Sequence, residues 1–589
     1  MPHLFWLSTF IPGLAVLLAI SPRDTRHRIW AVLACSFVLT VALFTPVVAA
    51  AFVFHLRFRT IAIVYATVVV AGVLVILRFA TRARLRRLAA SADGWEIAGI
   101  VCALGVAWYL KGAATDDTLV HVAKIRYLLD FGFSLQDPYS PLPIIETRHH
   151  ISTHQVLFGL AAWFSGEDPL KVWFQAGWFF TLVCACGVRF LAASVFRPRW
   201  IGSLVMLAFL VDFLSERVIV YPYIVTPYAV LAVLLAQIIE AVERPSRSAF
   251  LKVLAGSLTL AVFHVGFWVI VAMCVVPVAT VWIVWRAQRP WRQLALAAAT
   301  LLPGLPFLLI TASQSNHVDA QQGARFQWML RDIGQWIIVD PLRLAWMFPA
   351  AAMAVLLCVI RPTARARHLV LAGITMMAII YMFTPGLFGL LTTVMPYWLV
   401  RRCEYVAGVV AVVTVIGGLS WMVRQNVRTR LGRSVFVLTV LLTVLVVDLE
   451  KMKQRWRYRT QSVPALQDAL NLQEAVRTEL PGRPLVATTP ELSLMLPAVH
   501  PASVMAPELG HANPADGELL RRHGEARELL DTRTSTDRRR QIIAANAIAY
   551  ILVRHDPDAR LQEDFSDVGD LVASRDGFML FRVGEGRAR

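Results

Sequence analysis

The sequence predicts an α-helical polytopic membrane protein, with about 13–14 spans, that ends in a small α/β domain. The 589 residues are 57% hydrophobic and only 16% charged, and the mean hydropathy is +0.60. A soluble protein of this size could not bury so much apolar side chain, so most of the chain belongs in a lipid bilayer. Clusters of arginine separate the apolar runs, and the composition changes after residue 450.

Apolar runs of helical length give the positions of the spans. In chain order they lie near 4–20, 30–54, 60–80, 95–111, 170–195, 200–214, 223–243, 248–263, 265–285, 294–312, 341–360, 368–384, 404–423 and 434–449. Several are shorter than the roughly 20 residues that a straight span needs, so their ends are approximate.

Seven basic clusters orient these spans. They are "SPRDTRHR" (21–28), "RFATRARLRR" (78–87), "FRPRW" (196–200), "ERPSRS" (243–248), "WRAQRPWR" (285–292), "RPTARAR" (361–367) and "RQNVRTRLGR" (424–433). Lys and Arg concentrate in the cytoplasmic loops of membrane proteins. When all seven clusters are placed on the cytoplasmic side, successive spans cross the membrane in alternating directions. The loops 112–153 and 313–340, the stretch 384–403 and the chain after 450 are then extracytoplasmic. This pattern also accounts for the net charge of +18 without a nucleic-acid partner.

Two apolar segments do not fit simple spans. A crossing by "HQVLFGLAAWFSG" (154–166) would move the cluster at 196–200 outside, so we expect a juxtamembrane helix that lies in the outer interface or dips partway in. The alternative is that a neighbouring span is misassigned. Gly and Pro interrupt "PGLFGLLTTVMPYWL" (385–399), which predicts a re-entrant or juxtamembrane piece.

The chain therefore divides into a transmembrane domain, residues 1–450, and an extracytoplasmic α/β domain, residues 451–589. Short apolar runs in the second domain predict strands, and longer amphipathic runs predict helices. The predicted strands are 484–489, 547–553 and 577–584, and the predicted helices are 516–530 and 536–547. About 130 residues are enough to form a core of their own.

Two adjacent acids, Asp116 and Asp117, stand where an apolar helix gives way to the external loop 112–153. On a helix, His121 lies one turn after Asp117, and Lys124 shares that face a turn further on. Ionisable groups are costly at the low-dielectric boundary of a membrane and are usually functional there. The other interpretation is a solvated loop in which such pairs merely stabilise a short helix.

The order of these features resembles the first module of the GT-C class of membrane glycosyltransferases. An apolar helix is followed by the external acidic pair, then "YLLDFGFSLQDPYSPLP" (127–143) and "HISTHQVLFGLAAWFSGEDPLKVWFQAGWFF" (150–180). The distal half is similar too, with many spans before a compact external domain. Within the class, the chain looks most like actinobacterial arabinofuranosyl- and mannosyltransferases.

The resemblance implies an inverting glycosyltransferase of cell-wall biogenesis, a multi-pass protein of the inner or plasma membrane with its active site and C-terminal domain outside. It would move a sugar from a polyprenyl-phosphate donor to a hydroxyl of a cell-envelope glycan, lipid or protein. Asp116 or Asp117 would be the general base that takes the proton of that hydroxyl. One base opposite the leaving group implies a single displacement and inversion.

The carrier phosphate needs counter-charge on the same side of the membrane. Arg401 and Arg402 in "MPYWLVRRCEY" (395–405) are the predicted phosphate ligands, with Tyr397 beside them, unless these arginines only anchor a helix at lipid headgroups. The predicted substrate-binding set also contains His121, Lys124, His149, His150 and His154. No Cys or regular acidic partner completes a tetrahedral set with the closely spaced histidines, so no metal or other cofactor is expected.

The alternative function is a transporter, flippase or ligase of lipid-linked glycans. A transporter would need paired charges deep within its spans and two symmetric halves, whereas the acids of this chain cluster outside. The chain contains no G-x-G-x-x-G or P-loop fingerprint, which favours a lipid-linked donor over a soluble nucleotide sugar.

Overall fold

Helices dominate the fold up to residue 476. The computed structural model describes residues 2–20, 29–79, 90–110, 116–142, 144, 152–215, 222–285, 290–314, 347–361, 365–392, 400, 403–508, 516–531, 533–554 and 565–584. The helices in these ranges are α1 (Pro2–Ser8), α2 (Ile11–Ile20), α3 (Ile29–Val53), α4 (Phe58–Phe79), α5 (Gly94–Leu110), α6 (Asp116–Phe131), α7 (Thr153–Ser165), α8 (Pro169–Gln175), α9 (Gly177–Val195), α10 (Arg199–Ser215), α11 (Pro222–Glu243), α12 (Arg247–Phe263), α13 (Val265–Trp285), α14 (Pro290–Leu301), α15 (Leu305–Gln314), α16 (Met347–Ile360), α17 (Arg365–Phe383), α18 (Pro385–Thr392), α19 (Cys403–Asn426) and α20 (Arg430–Val476).

The long apolar helices confirm the polytopic membrane class. Within the described ranges, six segments are long and apolar enough to cross a membrane: Pro2–Ala19, Ile29–Val53, Phe58–Phe79, Gly177–Val195, Ala366–Phe383 and Val406–Asn426. Five shorter apolar helices accompany them. Their outward faces remain apolar, as in α4, where Leu74 and Leu77 are 63% and 71% exposed. Such faces need lipid around them. The total of about 13–14 spans stays a prediction.

Helix α9 runs from the end of the bundle that contains α8 to the end that contains basic clusters. Its 19 residues rise about 28 Å. It begins beside α8, and directly after its last residue the ring of Phe196 lies 5.4 Å from the guanidinium of Arg361. Close by in the sequence, Arg367 forms an ion pair with Glu243. The basic clusters 196–200, 243–248 and 361–367, which the sequence assigns to one side of the membrane, therefore meet at one end of the bundle.

A buried ion pair ties α5 to α9. The Glu96 carboxylate lies 2.7 Å from Nε of Arg189, and both side chains are almost fully buried. It also accepts hydrogen bonds from Nε1 of Trp30 and the hydroxyl of Ser203, and from the backbone N–H of Asp93. Several donors thus converge on one carboxylate, which satisfies the charge that burial would otherwise make costly.

The segment predicted as a juxtamembrane helix is observed as α7. Its 13 residues rise about 20 Å, less than the roughly 30 Å of a hydrocarbon core. Ser152 caps its first turn, because its hydroxyl accepts the backbone N–H of Gln155. Residues 153–162 are all buried, and the last turn exposes Trp163 and Phe164. The helix is therefore packed in protein for most of its length. Within the other broken segment, α18 covers residues 385–392, and residues 393–399 lie outside the described ranges.

The C-terminal α/β domain is confirmed. Its strands are β1 (Leu485–Thr488), β2 (Ser503–Val504), β3 (Tyr550–Arg554), β4 (Gly569–Arg575) and β5 (Phe578–Val583), and its helices are α21 (Pro490–Val499), α22 (Leu519–Leu530) and α23 (Thr536–Asn546). The sheet order is β2-β1-β3-β5-β4. The first three strands in that order are parallel, and β5 and β4 continue antiparallel. Helix α20 leads into this domain without a break at residue 450.

Candidate active site

The acidic pair occupies the first turn of α6, since the helix begins at Asp116. A helix N-terminus carries partial positive charge and stabilises ionised carboxylates there. The structure describes the backbone of Asp116 and Asp117 but not their side chains. The helical backbone places His121 one turn after Asp117, as the sequence predicts.

His121 is held in a buried pocket directly after the acidic turn. Its ring stacks on Trp173 of α8, with centroids 5.4 Å apart and an angle of 16° between the planes. Its Nδ1 lies 3.0 Å from Nε2 of Gln155 in α7. The amide Nε2 can only donate, so Nδ1 accepts and the neutral ring carries its hydrogen on Nε2. Gln155 is itself fully buried. Three helices thereby fix one ring below the acidic pair.

His154 lies next to this pocket, 6.1 Å from His121 between ring centroids. Aromatic rings surround it edge to face, with centroids at 5.0 Å for Phe158, 5.5 Å for Phe263 and 5.7 Å for Trp173. Such contacts contribute to packing beyond the area that they bury. The structure thus brings the two predicted histidines together inside the protein, and their contact with a substrate stays a prediction.

Lys124 lies on the same helix as His121 and is also buried. Its Nζ lies 3.5 Å from the carbonyl oxygen of Gln136, in the segment after α6. The hydroxyl of Tyr127 donates to the side-chain oxygen of Gln136 at 3.0 Å. The buried face of α6 therefore fixes the loop that follows it.

An ion pair that the sequence did not reveal anchors the other flank of α6. Nη2 of Arg126 lies 2.6 Å from Oδ2 of Asp168. The same oxygen accepts from Nε2 of Gln473 in α20, also at 2.6 Å. The other oxygen of Asp168 caps α8 by accepting the backbone N–H of Leu170. The pair Asp168-Pro169 is an N-cap signal in the sequence, but nothing in it points to Arg126 or Gln473.

The C-terminal domain rests directly on α6 and its loop. Nε of Arg126 donates to the carbonyl oxygen of Ala498 at 2.9 Å. From the other direction, Nη2 of Arg483 reaches the carbonyl oxygens of Asp137, Pro138 and Ser140 at 3.1–3.3 Å. The same guanidinium lies 4.9 Å from the ring centroid of Tyr127. Arg483 was also missed from the sequence, because its partners are more than 340 residues away.

His500 closes this interface next to Arg126. Burial, and then the nearby positive charge of Arg126, lower its pKa to about 4. The ring is therefore neutral at pH 7, which keeps a second positive charge away from the Arg126–Asp168 pair.

Several predicted site residues lie outside the described ranges: His149, His150, Tyr397, Arg401 and Arg402. Their roles stay predictions. Within the described ranges, no three His, Cys, Asp or Glu side chains lie close enough together to hold a metal ion.

No protein-family model and no curated protein sequence matches the chain. Solved structures do match its fold. ArnT from Cupriavidus metallidurans bound to undecaprenyl phosphate is 15% identical, with 85% of this chain and 99% of that chain covered and a TM-score of 0.52. The same protein in the apo state is 12% identical, with coverage of 84% and 99% and a TM-score of 0.50.

A third similar structure is the archaeal oligosaccharyltransferase AglB from Archaeoglobus fulgidus, in complex with an inhibitory peptide and a dolichol-phosphate. It is 10% identical, with 84% of this chain and 74% of that chain covered and a TM-score of 0.48. The match to ArnT extends over nearly the whole length of both chains. The chain described here therefore has the GT-C membrane fold that its sequence predicts.

Proposed function

We propose that this chain is an inverting membrane glycosyltransferase, with Asp116 or Asp117 as its general base. The observation that supports this most is the position of the acidic pair. It forms the first turn of α6, one turn from the fixed ring of His121 and on a helix that the C-terminal domain holds in place. An acid pair on a helix fixed from both sides suits a base that must meet a substrate at a defined position.

The proposed donor is a sugar linked to polyprenyl phosphate. The ArnT structure with this fold contains undecaprenyl phosphate, and a carrier of this kind brings a leaving group that is stable as an anion. The acceptor hydroxyl oxygen attacks the anomeric carbon as the bond from that carbon to the phosphate oxygen breaks. The aspartate takes the hydroxyl proton, and the polyprenyl phosphate departs with the electron pair. One displacement inverts the anomeric configuration.

The partners and the side of the membrane follow from the same proposal. The acceptor is a hydroxyl of a cell-envelope glycan, lipid or protein, and we place it on the extracytoplasmic side, where α6 meets the C-terminal domain. Arg401 and Arg402 are the proposed ligands of the carrier phosphate, with Tyr397 beside them. Arginine binds phosphate in a bidentate geometry that a lysine cannot reproduce.

The ion pair Glu96–Arg189 bears on the transporter alternative, because a transporter needs charges within its spans. The Glu96 carboxylate also accepts hydrogen bonds from Trp30, Ser203 and Asp93. A carboxylate bound by this many donors suits a fixed link between helices better than a site that must bind and release an ion. The glycosyltransferase proposal is therefore preferred.

The test is glycosyl transfer by membranes that contain Asp116→Asn or Asp117→Asn, assayed with radiolabelled polyprenyl-phosphate sugars. Asparagine keeps the shape of the side chain and removes the proton acceptor, so turnover by the variant at the catalytic position should fall by about 10²–10⁴. The matched control is Asp537→Asn, the same change at an exposed aspartate in the first turn of α23, which should transfer sugar at close to the normal rate.

Two results would contradict the proposal. Near-normal transfer by both asparagine variants would exclude a base at the acidic pair. Transport of a lipid-linked glycan by the purified protein, without glycosyl transfer, would favour the transporter. Insertion and thermal unfolding of each variant are compared with those of the unmodified protein, so that a misfolded variant is recognised.

A further inference from the structure

Arg361 lies at the end of the bundle where the basic clusters meet, far from the proposed active site. It directly follows the last residue of α16. Its guanidinium is held between two aromatic rings, 5.4 Å from the centroid of Phe196 and 4.9 Å from that of Trp421. Its Nη1 donates to Nε2 of His368 at 3.1 Å. Four segments of the chain therefore fix one cation in place.

No acidic side chain in the described ranges pairs with Arg361. Its one hydrogen bond there is to the ring of His368, and its nearest charges are positive. Burial, and then the positive charges of Arg367 and Arg197, lower the pKa of Arg361 to about 10, so it stays charged at pH 7. Arg367 is paired with Glu243, but Arg197 is exposed. A cation among like charges, without its own counter-ion, favours an anion next to it.

The buried ring of His368 orients the guanidinium from inside the protein. Its Nε2 accepts from Arg361, so the neutral ring carries its hydrogen on Nδ1. That nitrogen is buried and has no hydrogen-bond partner in the part of the chain that the structure describes.

Exposed apolar side chains continue from this cluster along α16. Val355, Leu356, Val359 and Ile360 form the last turns of the helix, and their exposed fractions range from 41% to 68%. They suit the acyl chains of a lipid whose headgroup lies at the level of Arg361. A soluble anion would not cover this apolar surface.

We propose that Arg361, oriented by His368 and accompanied by the exposed Arg197, binds the headgroup phosphate of an anionic phospholipid at this end of the bundle. Basic pockets between membrane helices bind anionic headgroups in this manner. Contact with the Phe196 and Trp421 rings limits the positions that the guanidinium can take, and the exposed face of α16 receives the acyl chains. The site is independent of glycosyl transfer.

The test is native mass spectrometry of the purified full chain, titrated with phosphatidylglycerol or phosphatidylcholine. We expect one tightly bound phosphatidylglycerol. Arg361→Gln should weaken its binding about tenfold, since one charge-assisted hydrogen bond contributes about that factor. The matched control is Arg424→Gln, the same change at an exposed arginine at the same end of the bundle, which should bind as the unmodified protein does. Arg361→Lys should be intermediate, because lysine keeps the charge but lacks the planar, forked donor group of arginine.

Three outcomes would overturn the assignment. Equal weakening by Arg361→Gln and Arg424→Gln would show a general effect of net charge. Equal binding of phosphatidylglycerol and phosphatidylcholine by the unmodified protein would exclude a preference for anionic lipid, and this measurement needs no variant. Displacement of bound phosphatidylglycerol by millimolar inorganic phosphate would identify a site for a free anion.

Discussion

Asp168 and Gln473 meet at a single carboxylate oxygen, 2.6 Å from the amide nitrogen, although 305 residues separate them in the chain. The same oxygen holds the guanidinium of Arg126. The acidic helix α6, the capped start of α8 and the end of α20 are therefore joined at one point. A change at this point should affect the membrane domain and the C-terminal domain together.

Two replacements of Asp168 separate its ion pair with Arg126 from its cap of α8. Asp168→Asn keeps an oxygen that can cap α8 but leaves Arg126 without its counter-charge, so the free energy of unfolding should fall by about 2 kcal/mol. Asp168→Ala also removes the cap and should cost about 1 kcal/mol more. Thermal unfolding measures both. Asp537→Asn, at an exposed aspartate of α23, serves as the control, and an equal effect there would contradict the specific role of Asp168.

Gln155 should act as a positioning residue for His121. Gln155→Leu removes the donor to Nδ1, which frees the ring to turn or change tautomer, and under the proposed function turnover should fall about 10- to 100-fold with little change in KM for the donor. Steady-state transfer rates at varied donor concentration give kcat and KM separately. A rise in KM at unchanged kcat would instead assign Gln155 to substrate binding.

The control for Gln155 is Gln237→Leu, because Gln237 is an equally buried amide in α11. It contacts Cys35 rather than the proposed site. Similar losses of stability in the two variants, with turnover lost in the Gln155 variant alone, would separate positioning from folding.

Arg483 should hold the loop after α6 in place. Arg483→Met removes the donor to three carbonyl oxygens, so amide hydrogen exchange across residues 133–142 should become faster. Hydrogen–deuterium exchange with mass spectrometry measures this in the full chain. Arg477→Met, at an exposed arginine that directly follows α20, should leave that segment unchanged. Unaltered exchange in the Arg483 variant would show that other contacts are sufficient to hold the loop.

His500 should make the protein less stable in mild acid. Its pKa is about 4 in the folded state, against about 6.5 when unfolded. Between these values the unfolded chain binds more protons, so stability falls as the pH is lowered from about 6.5 to 4. The loss from this one group should be about 2 kcal/mol between pH 7 and pH 5. His500→Gln should flatten the dependence of the unfolding midpoint on pH, and an unchanged slope would refute the assignment.

The fold class could be predicted because composition alone requires a membrane for this chain. In the C-terminal domain, β1 and β5 lie within the predicted strands and β3 overlaps its predicted strand up to residue 553, because each is largely a run of buried apolar residues. Two strands were missed. β2 has two residues, too few to show a period, and β4 lies at the sheet edge with most side chains exposed or half-buried, so its sequence lacks an apolar run.

The site was predictable where its residues are neighbours along one helix. The spacing of Asp117 and His121 is local and follows from the helical period. Arg126 lies 42 residues from Asp168, and Arg483 lies 346 residues from Asp137. No local pattern marks such pairs, because their distance depends on how the helices pack. The hydrogen bond between Gln155 and His121 could not be predicted for the same reason.

The continuous helix α20 couples the orientation of the C-terminal domain to that of the bundle. Its 47 residues, which include Pro464, form one continuous helix with a rise of about 70 Å. One end packs in the bundle, and the other presents Gln473 to Asp168. Each residue added to such a helix turns everything beyond it by about 100° and moves it by 1.5 Å, whereas seven residues nearly restore the angle. Changes in the length of this helix should therefore preserve the contact of Gln473 with Asp168 only where they keep the rotation of the helix about its axis.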